Sequence, residues 1–171
     1  MNTLLSRTLS GTSATEPPQF GGPMKFYLHP GMLFTSTRGH AVTTILGSCI
    51  AVYLWDPLGR MGGINHFLLP AWNGEGAPST RFGDIAIREL IRQVTAIGAN
   101  RNQLLAKLFG GACVLEAFQS STTHLGTQNS NLAKRVLREQ GIPLVGEDVG
   151  GRKGRKLIFH THNGTAWVKQ L

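Results

Sequence analysis

The sequence predicts an α+β protein with mixed or antiparallel β-sheet layers and two main helices packed on one face. Three observations support this fold class. Apolar and β-branched runs of strand length occur towards both ends of the chain, and two segments between them have apolar residues at helical spacing. An Asn-Gly pair also separates two strand-like runs near the carboxyl terminus. The predicted element order is β-β-β-α-β-α-β-β-β.

Three strands are expected before the first helix. Residues 41–46 are rich in β-branched side chains, and residues 50–55 form a continuous apolar run typical of a buried strand. Residues 60–69 follow as a third strand, joined to the second by a hairpin. Residues 71–80 contain Gly, Asn and Pro, which predicts a loop long enough to lie over a site.

Apolar residues at helical spacing predict two helices, with a strand at 104–109 between them. In the second helix, Asn129 or Ser130 is expected to cap the amino terminus, and Gly141 to end the helix. The first helix is expected to end at Gly98 and to bury five residues, Ile87, Leu90, Ile91, Val94 and Ile97.

The carboxyl terminus is predicted to be a β-hairpin. Residues 156–162 and 165–169 form its strands, and Asn163-Gly164 joins them. Asn-Gly favours a type I′ turn, because both central residues of that turn need a positive φ.

The length of 171 residues fits one domain, which we expect at residues 23–171. Residues 1–22 are rich in Ser, Thr, Gly and Pro and lack the apolar core of a signal peptide, which predicts a disordered tail. No apolar run approaches the roughly 18 residues of a membrane-spanning helix. Two cysteines are too few for a disulfide scaffold, so reduced thiols in a cytosolic protein are expected.

The net charge of +8 is unevenly distributed along the chain. Residues 1–80 contain four basic and three acidic residues, whereas residues 81–171 contain thirteen and six. Such a basic half indicates a polyanionic partner or simply a solvated surface. Nucleic acid is not favoured, because aromatic residues make up only 8% of the chain and no nucleic-acid-binding motif occurs.

A cysteine and a histidine, which together can support nucleophilic chemistry, lie close together in the predicted sheet. Cys49 follows a strand through Gly47-Ser48, a turn that could expose its thiol, and His66 lies on what should be a neighbouring strand. An adjacent histidine activates a cysteine by accepting its proton. A lone cysteine in an apolar setting is more often a small buried hydrophobic residue, so spacing alone leaves both interpretations open.

The order of residues around this pair closely resembles that of the chemoreceptor glutamine deamidases, the CheD family of bacterial chemotaxis. The resemblance extends from about Tyr27 to the last predicted strand. Its main blocks are Leu46-Gly-Ser-Cys49-Ile-Ala-Val, Trp55-Asp-Pro57, Gly62-Gly-Ile-Asn-His66-Phe-Leu-Leu-Pro70, Arg81-Phe-Gly-Asp84, Ala106-Lys-Leu-Phe-Gly-Gly-Ala112, Leu125-Gly-Thr-Gln-Asn129 and Glu147-Asp-Val-Gly-Gly151 with Gly154-Arg155.

The resemblance implies a cysteine-hydrolase-like fold and conversion of selected receptor glutamines to glutamates, with release of ammonia. It assigns the nucleophile to Cys49, the general base to His66 and a third polar residue to Thr43. Gly47 and Ser48 belong to the turn expected to supply backbone N–H groups to the oxyanion. Thr44 is the alternative for orienting His66, because adjacent strand residues face opposite ways.

Other polar residues have structural explanations that compete with functional ones. Asn65 is expected to be a structural residue that satisfies a turn rather than an oxyanion donor, and Cys113 is expected to contribute packing. His160 and His162 share a strand face, a spacing compatible with metal, but no third ligand is evident, which favours exposed hairpin histidines.

No cofactor is implied, because a cysteine thiolate, expected in part at neutral pH, and an imidazole suffice for the reaction. The resemblance implies the cytoplasmic helices of chemotaxis receptors as partners, a CheC-type phosphatase as a further one, and no direct membrane insertion. It also implies a cytoplasmic bacterial protein recruited to membrane-bound receptor arrays. The alternative is a non-catalytic adaptor that binds receptor or phosphatase. Transglutamination and methyl-ester hydrolysis are related thiol reactions that only product analysis separates.

Overall fold

The structure is a computed structural model that describes residues 22–115 and 123–171. The strands in this part of the chain are β1 Met24–Tyr27, β2 Leu33–Ser36, β3 His40–Leu46, β4 Ile50–Asp56, β5 Met61–Asn65, β6 Leu105–Gly110, β7 Leu144–Val149, β8 Arg155–His160 and β9 Ala166–Gln170. The helices are α1 Gly83–Ala96, α2 Leu125–Glu139 and a short 3₁₀ helix at Arg101–Gln103. The predicted tail at 1–22 lies, apart from Gly22, outside the described residues.

The strands form two sheets. The four-stranded sheet has the order β1-β3-β8-β9, and the five-stranded sheet has the order β2-β5-β4-β6-β7. Both are mixed, since β1 pairs with β3 and β6 with β7 in parallel, while the remaining pairs are antiparallel. The predicted α+β class with mixed sheet layers is therefore confirmed.

The five-stranded sheet lies between the four-stranded sheet and the helices. On β4, Ile50, Val52 and Leu54 face a core shared with α1 and α2. Ala51 and Tyr53 face a second core, which the four-stranded sheet completes. Burial on both faces explains why this strand is a continuous apolar run, as the sequence indicated. Both helices pack on the same side of the sheet, as predicted.

Several local predictions are corrected. In the described part of the chain, five strands rather than three precede the first helix, because β1 and β2 were not predicted. The third strand ends at Asn65 rather than at residue 69, and an isolated bridge between Ile50 and Phe67 continues its pairing with β4. The second helix begins at Leu125, and the His124 side chain caps it. The predicted caps, Asn129 and Ser130, instead lie buried inside that helix.

The hairpin turn also differs from its prediction. The loop between β8 and β9 covers residues 161–165, and Gly164 has a φ of 74°. Among the described non-glycine residues only Arg60 has a positive φ, so Asn163 does not adopt the type I′ conformation. Its side chain instead accepts a hydrogen bond from the Thr165 N–H at 3.0 Å.

Candidate active site

Cys49 lies in the turn between β3 and β4, and a second loop holds the backbone of that turn. The Gly47 carbonyl accepts a hydrogen bond from the Ala112 N–H, and the Cys49 carbonyl accepts one from the Gly111 N–H, both at 2.8 Å. A Cβ on Gly110, which has a φ of 111°, would overlap the Cys49 carbonyl, so only glycine allows this close approach. The turn is therefore fixed through its carbonyl groups.

The N–H groups of the same turn have no partner in another residue that the structure describes. Those of Gly47, Ser48 and Cys49 donate no hydrogen bond to another described residue, and that of Cys49 points to its own sulfur. Three neighbouring backbone donors beside a thiol form the kind of group that could bind an oxyanion on a carbon attached to that sulfur. The turn predicted at Gly47 and Ser48 thus has the donors that the oxyanion role requires.

The strand register puts Cys49 and His66 on one face of the five-stranded sheet. Tyr53 pairs with Ile64, and the bridge from Ile50 to Phe67 keeps the same register. His66 therefore lies opposite Ala51 and faces the core between the two sheets. Cys49 lies two residues before Ala51, so it has the same facing and is the diagonal cross-strand neighbour of His66. No hydrogen bond joins the Cys49 sulfur to the imidazole in this structure.

Thr44 contacts the His66 ring. Its Oγ1 lies 2.8 Å from His66 Nδ1 and donates to the Leu28 carbonyl at 2.8 Å. Thr44 is completely buried on the inner face of the four-stranded sheet. Thr43 points the other way, its hydroxyl bonds no described residue, and its carbonyl accepts the Leu28 N–H at 2.8 Å. The ring contact expected of Thr43 is therefore made by Thr44, and a catalytic role for Thr43 stays a prediction.

These contacts determine the tautomer of His66. Because the Thr44 hydroxyl hydrogen is committed to Leu28, its oxygen can only accept, so Nδ1 carries the ring proton. Nε2 then has a bare lone pair, and it is buried with no hydrogen-bond partner among the described residues. Burial lowers the pKa of His66 to about 4, against a smaller opposing effect of the Leu28 carbonyl. At neutral pH this imidazole is a neutral base.

Cys49 is half-buried, and its thiol is protonated at neutral pH. Burial raises the pKa of Cys49, and its own backbone N–H opposes that effect only in part. A thiol with a raised pKa beside an imidazole with a lowered one does not form a thiolate–imidazolium pair at rest. The thiolate expected from the sequence is therefore not the resting form, and nucleophilic attack by this thiol would require proton transfer to a base such as Nε2.

The remaining sequence candidates have structural roles in the described part of the chain. Asn65 has the expected structural role, but in the sheet rather than in a turn, because its Oδ1 accepts the Val52 N–H at 2.8 Å and completes the ladder between β4 and β5. Cys113 is buried, and its sulfur lies 3.7 Å from the Leu115 carbonyl. His160 and His162 are half-buried rather than exposed, and His162 lies in the loop after β8 rather than on the strand. Their rings make an edge contact, and no group of three metal-ligating side chains occurs among the described residues.

Five basic residues of the carboxyl-terminal half are paired with carboxylates, namely Arg88, Arg92, Lys134, Arg135 and Arg155. Arg155 is buried and binds Asp148 at 2.7 Å, and Lys134 binds Glu147 at 2.8 Å. Neither is therefore available as a free charge for a polyanionic partner. Among the helices that the structure describes, none is long and apolar enough to cross a membrane.

A cavity of about 470 Å³ opens beside the Cys49 turn. Ser48 and Cys113 line it, together with apolar side chains that include Val114, Leu115 and Leu125. These three apolar residues are exposed to solvent. The candidate nucleophile thus has an apolar recess next to it.

Comparison with known proteins identifies the family. Residues 68–170 match the model of the family described as CheD chemotactic sensory transduction. The chain is 48% identical to the "Probable chemoreceptor glutamine deamidase CheD 1" of Anaeromyxobacter dehalogenans, covering 93% of this chain and 92% of the relative. It is 46% identical to the "Probable chemoreceptor glutamine deamidase CheD" of Trichlorobacter lovleyi, covering 85% and 91%.

A third relative agrees, whereas the structural comparison is weak. The "Probable chemoreceptor glutamine deamidase CheD" of Sulfurimonas denitrificans is 39% identical, covering 86% of this chain and 94% of the relative. A crystal structure of the Bacillus licheniformis hypothetical protein YfiH gives a TM-score of 0.38 at 14% identity, covering 63% of this chain and 46% of that one. The cysteine-hydrolase-like fold therefore stays a prediction. On the sequence matches, the chain belongs to the CheD family of chemotactic sensory transduction proteins.

Proposed function

We propose that this protein is a chemoreceptor glutamine deamidase in which Cys49 is the nucleophile and His66 the general base. The observation that carries the proposal is the His66 ring, whose Nδ1 is held by Thr44 and whose bare, buried Nε2 shares a sheet face with Cys49. A CheD-family chain with this pair has the two groups that amide hydrolysis through a thioester needs. The named relatives support the choice of protein glutamine as substrate.

The first half-reaction forms a thioester. As the Cys49 sulfur attacks the side-chain carboxamide carbon, its proton moves to His66 Nε2 and the carbonyl electrons move to oxygen. The N–H groups of the Cys49 turn hold this oxyanion, each contributing on the order of 3 kcal/mol when aligned. The imidazolium then returns the proton to the leaving nitrogen, the C–N bond breaks, and ammonia departs.

The second half-reaction regenerates the thiol. His66 Nε2 takes a proton from water as the water oxygen attacks the thioester carbon. Collapse of the tetrahedral intermediate breaks the C–S bond, releases glutamate and returns the proton to the Cys49 sulfur. Thr44 keeps Nδ1 protonated throughout, so the same nitrogen acts in both steps. Thr43, the position implied by the family resemblance, accepts the Leu28 N–H through its carbonyl, and its catalytic role stays a prediction.

Receptor helices are the proposed partners. The apolar cavity beside the Cys49 turn suits aliphatic side chains that flank a target glutamine on an amphipathic helix. The basic residues of the carboxyl-terminal half would speed association with an acidic receptor surface. Binding to a CheC-type phosphatase and recruitment to receptor arrays are further proposals that follow from the family resemblance alone.

The competing function is a non-catalytic adaptor. Binding a receptor does not require a buried imidazole held in one tautomer beside a thiol, and burying an unpaired nitrogen has an energetic cost. The Cys49 site therefore favours the enzyme. A variant that lacks only the sulfur separates the two functions.

The proposal is tested with a receptor cytoplasmic fragment and mass spectrometry. Wild-type protein should convert glutamine to glutamate, a gain of about 1 Da per site, with stoichiometric ammonia. Cys49→Ala should bind the fragment with unchanged affinity and leave its mass unchanged. Binding without any mass change by the wild type would establish the adaptor. A product cross-linked to an amine would establish transglutamination.

A further inference from the structure

Asn129 on α2 connects the segment of the proposed nucleophile to that of the proposed base. Its side chain is completely buried. One Nδ2 hydrogen goes to the Ser48 carbonyl at 3.0 Å and the other to the Leu68 carbonyl at 2.9 Å. Ser48 directly precedes Cys49, and Leu68 follows His66 by two residues. Both hydrogens of one amide are thus divided between the two halves of the site.

The Asn129 bridge begins where backbone pairing between these segments ends. Ile50 and Phe67 exchange two hydrogen bonds, of 3.1 and 2.9 Å, in an isolated bridge. Continued pairing would bring Ser48 close to Leu68 and Leu69. Their backbones make no hydrogen bond to each other, and the Asn129 amide spans them instead. Its two bonds therefore replace the next rung of the ladder and set the separation of the segments at the level of Cys49.

The amino-terminal end of α2 packs tightly against the loop that holds the Cys49 turn. A Cβ on Gly126 would overlap the Gly111 carbonyl, so the helix backbone touches the loop that holds Cys49. The Gly111 N–H in turn donates to the Cys49 carbonyl at 2.8 Å. Asn129 therefore projects its amide from a helix whose position relative to Cys49 is fixed.

We infer that Asn129 is a positioning residue, which sets the separation of the Cys49 sulfur and His66 Nε2 by bridging Ser48 and Leu68. It touches neither sulfur nor imidazole, and it acts through two backbone carbonyls. Only a group with two donors at this angle serves both of them. An aspartate of the same shape has no donor when ionised and would set lone pairs against both carbonyls. The inference concerns the same site as the proposed deamidase, on which its functional meaning rests.

The test uses alkylation of Cys49 by iodoacetamide, which needs no receptor and so does not depend on deamidation. At pH 7, Asn129→Asp should slow labelling of Cys49 as much as His66→Ala does. The double variant should react no more slowly than His66→Ala alone, because the Asn129 effect acts through His66. Simple loosening of the site would instead expose the thiol and speed its labelling.

Ser130→Ala provides the matched control. Ser130 is also buried on α2, and its hydroxyl bonds the Gly126 carbonyl at 2.8 Å without reaching the Ser48 or Leu68 segment. It should lower the melting temperature while labelling of Cys49 stays at the wild-type rate. If Asn129→Asp fails to fold, Asn129→Ala removes the same two donors without adding charge and is measured in the same way.

The outcomes separate the two proposals. Slower labelling in the Asn129 variants and a non-additive double variant support the positioning role, even if no receptor glutamine is converted. Wild-type or faster labelling in the Asn129 variants, additive effects in the double variant, or equal slowing by Ser130→Ala would overturn it. Where deamidation is observed, the Asn129 variants should lower kcat and leave KM for the receptor fragment unchanged.

Discussion

The two cysteines of this protein lie on adjoining loops, at the same end of the neighbouring inner strands β4 and β6, and their surroundings differ. The Ala112 N–H, one residue before Cys113, bonds the Gly47 carbonyl, two residues before Cys49. Cys49 shares a sheet face with a buried imidazole whose free nitrogen has no partner among the described residues. In the part of the chain that the structure describes, the Cys113 sulfur contacts the Leu115 carbonyl, 3.7 Å away, and no imidazole. Both cysteines thus lie beside a glycine-containing turn. They differ because the strand register places His66 on the same sheet face as Cys49.

The largest contrast is expected on removing each sulfur. Cys49→Ser should lower deamidation by at least about 10⁴-fold, because a serine hydroxyl needs a stronger base than this imidazole provides. Cys113→Ala should leave the rate within about twofold and lower the free energy of unfolding by about 1 kcal/mol. Single-turnover assays and urea denaturation measure the two effects. A large loss of rate in Cys113→Ala would remove the distinction between the sites.

Loss of the imidazole should make Cys49 behave as an ordinary buried thiol. His66→Ala should lower deamidation by about 10³-fold. Labelling of Cys49 by iodoacetamide should then rise about tenfold per pH unit up to and beyond pH 9, since burial raises the pKa of this thiol. Labelling of Cys113 should be the same in both proteins, which provides the internal control.

The lowered pKa of His66 gives this comparison a pH dependence. The folded protein keeps His66 neutral down to a pKa of about 4, whereas the unfolded chain binds a proton near pH 6.5. The resulting stability is fully present above pH 6.5 and is lost as the pH falls towards 4. Deamidation should fall over the lower part of the same window, as the base protonates. His66→Gln should flatten the stability profile, and an unchanged profile would contradict a buried neutral imidazole.

Much of this comparison could be predicted from the sequence. Cys49 and His66 follow from their flanking glycines, their placement on adjacent strands and the family resemblance. The apolar run on β4 correctly indicated burial on both faces, because no polar residue interrupts it. Alternation along β3 also showed that only one of Thr43 and Thr44 could face the histidine. Which one does so depends on the packing of the two sheets, and a strand pattern contains no such information.

The remaining misses have similar physical causes. β1 and β2 have only four residues each and half-polar sequences, so neither has the apolar run of a central strand. Asn129 was expected to cap α2 because asparagine favours that position. His124 is the cap instead, and Asn129 lies buried within the helix. Its contacts with Ser48 and Leu68 join residues far apart in the chain. Tertiary contacts of this kind override local preference.

A smaller effect is expected from the two threonines. Thr44→Val removes the acceptor for His66 Nδ1 and should lower kcat on the order of tenfold, because the ring loses its fixed tautomer. Thr43→Val, the matched control one residue away, should change kcat by less than about threefold, since its hydroxyl bonds no described residue. Steady-state kinetics with the receptor fragment measure both. The reverse order would restore Thr43 as the residue that orients the ring.

The smallest effect is expected from ionic strength. Raising salt from about 0.05 to 0.5 M should slow the reaction with receptor helices severalfold, because the basic half of the chain steers association. Alkylation of either cysteine by neutral iodoacetamide should hardly change. If salt slows deamidation of a short neutral glutamine peptide as much as it slows the reaction with receptor helices, the positive charge does not steer association and only keeps the surface solvated.

The central claim is that Cys49, and not Cys113, carries the reaction. The most direct measurement is partial alkylation with iodoacetamide, in which the label on each cysteine is quantified by peptide mass spectrometry beside the residual deamidation. We predict that Cys49 is labelled first and that activity falls in proportion to its label, whatever the label on Cys113. Activity that persists with Cys49 fully labelled, or that falls with the label on Cys113, would contradict this account.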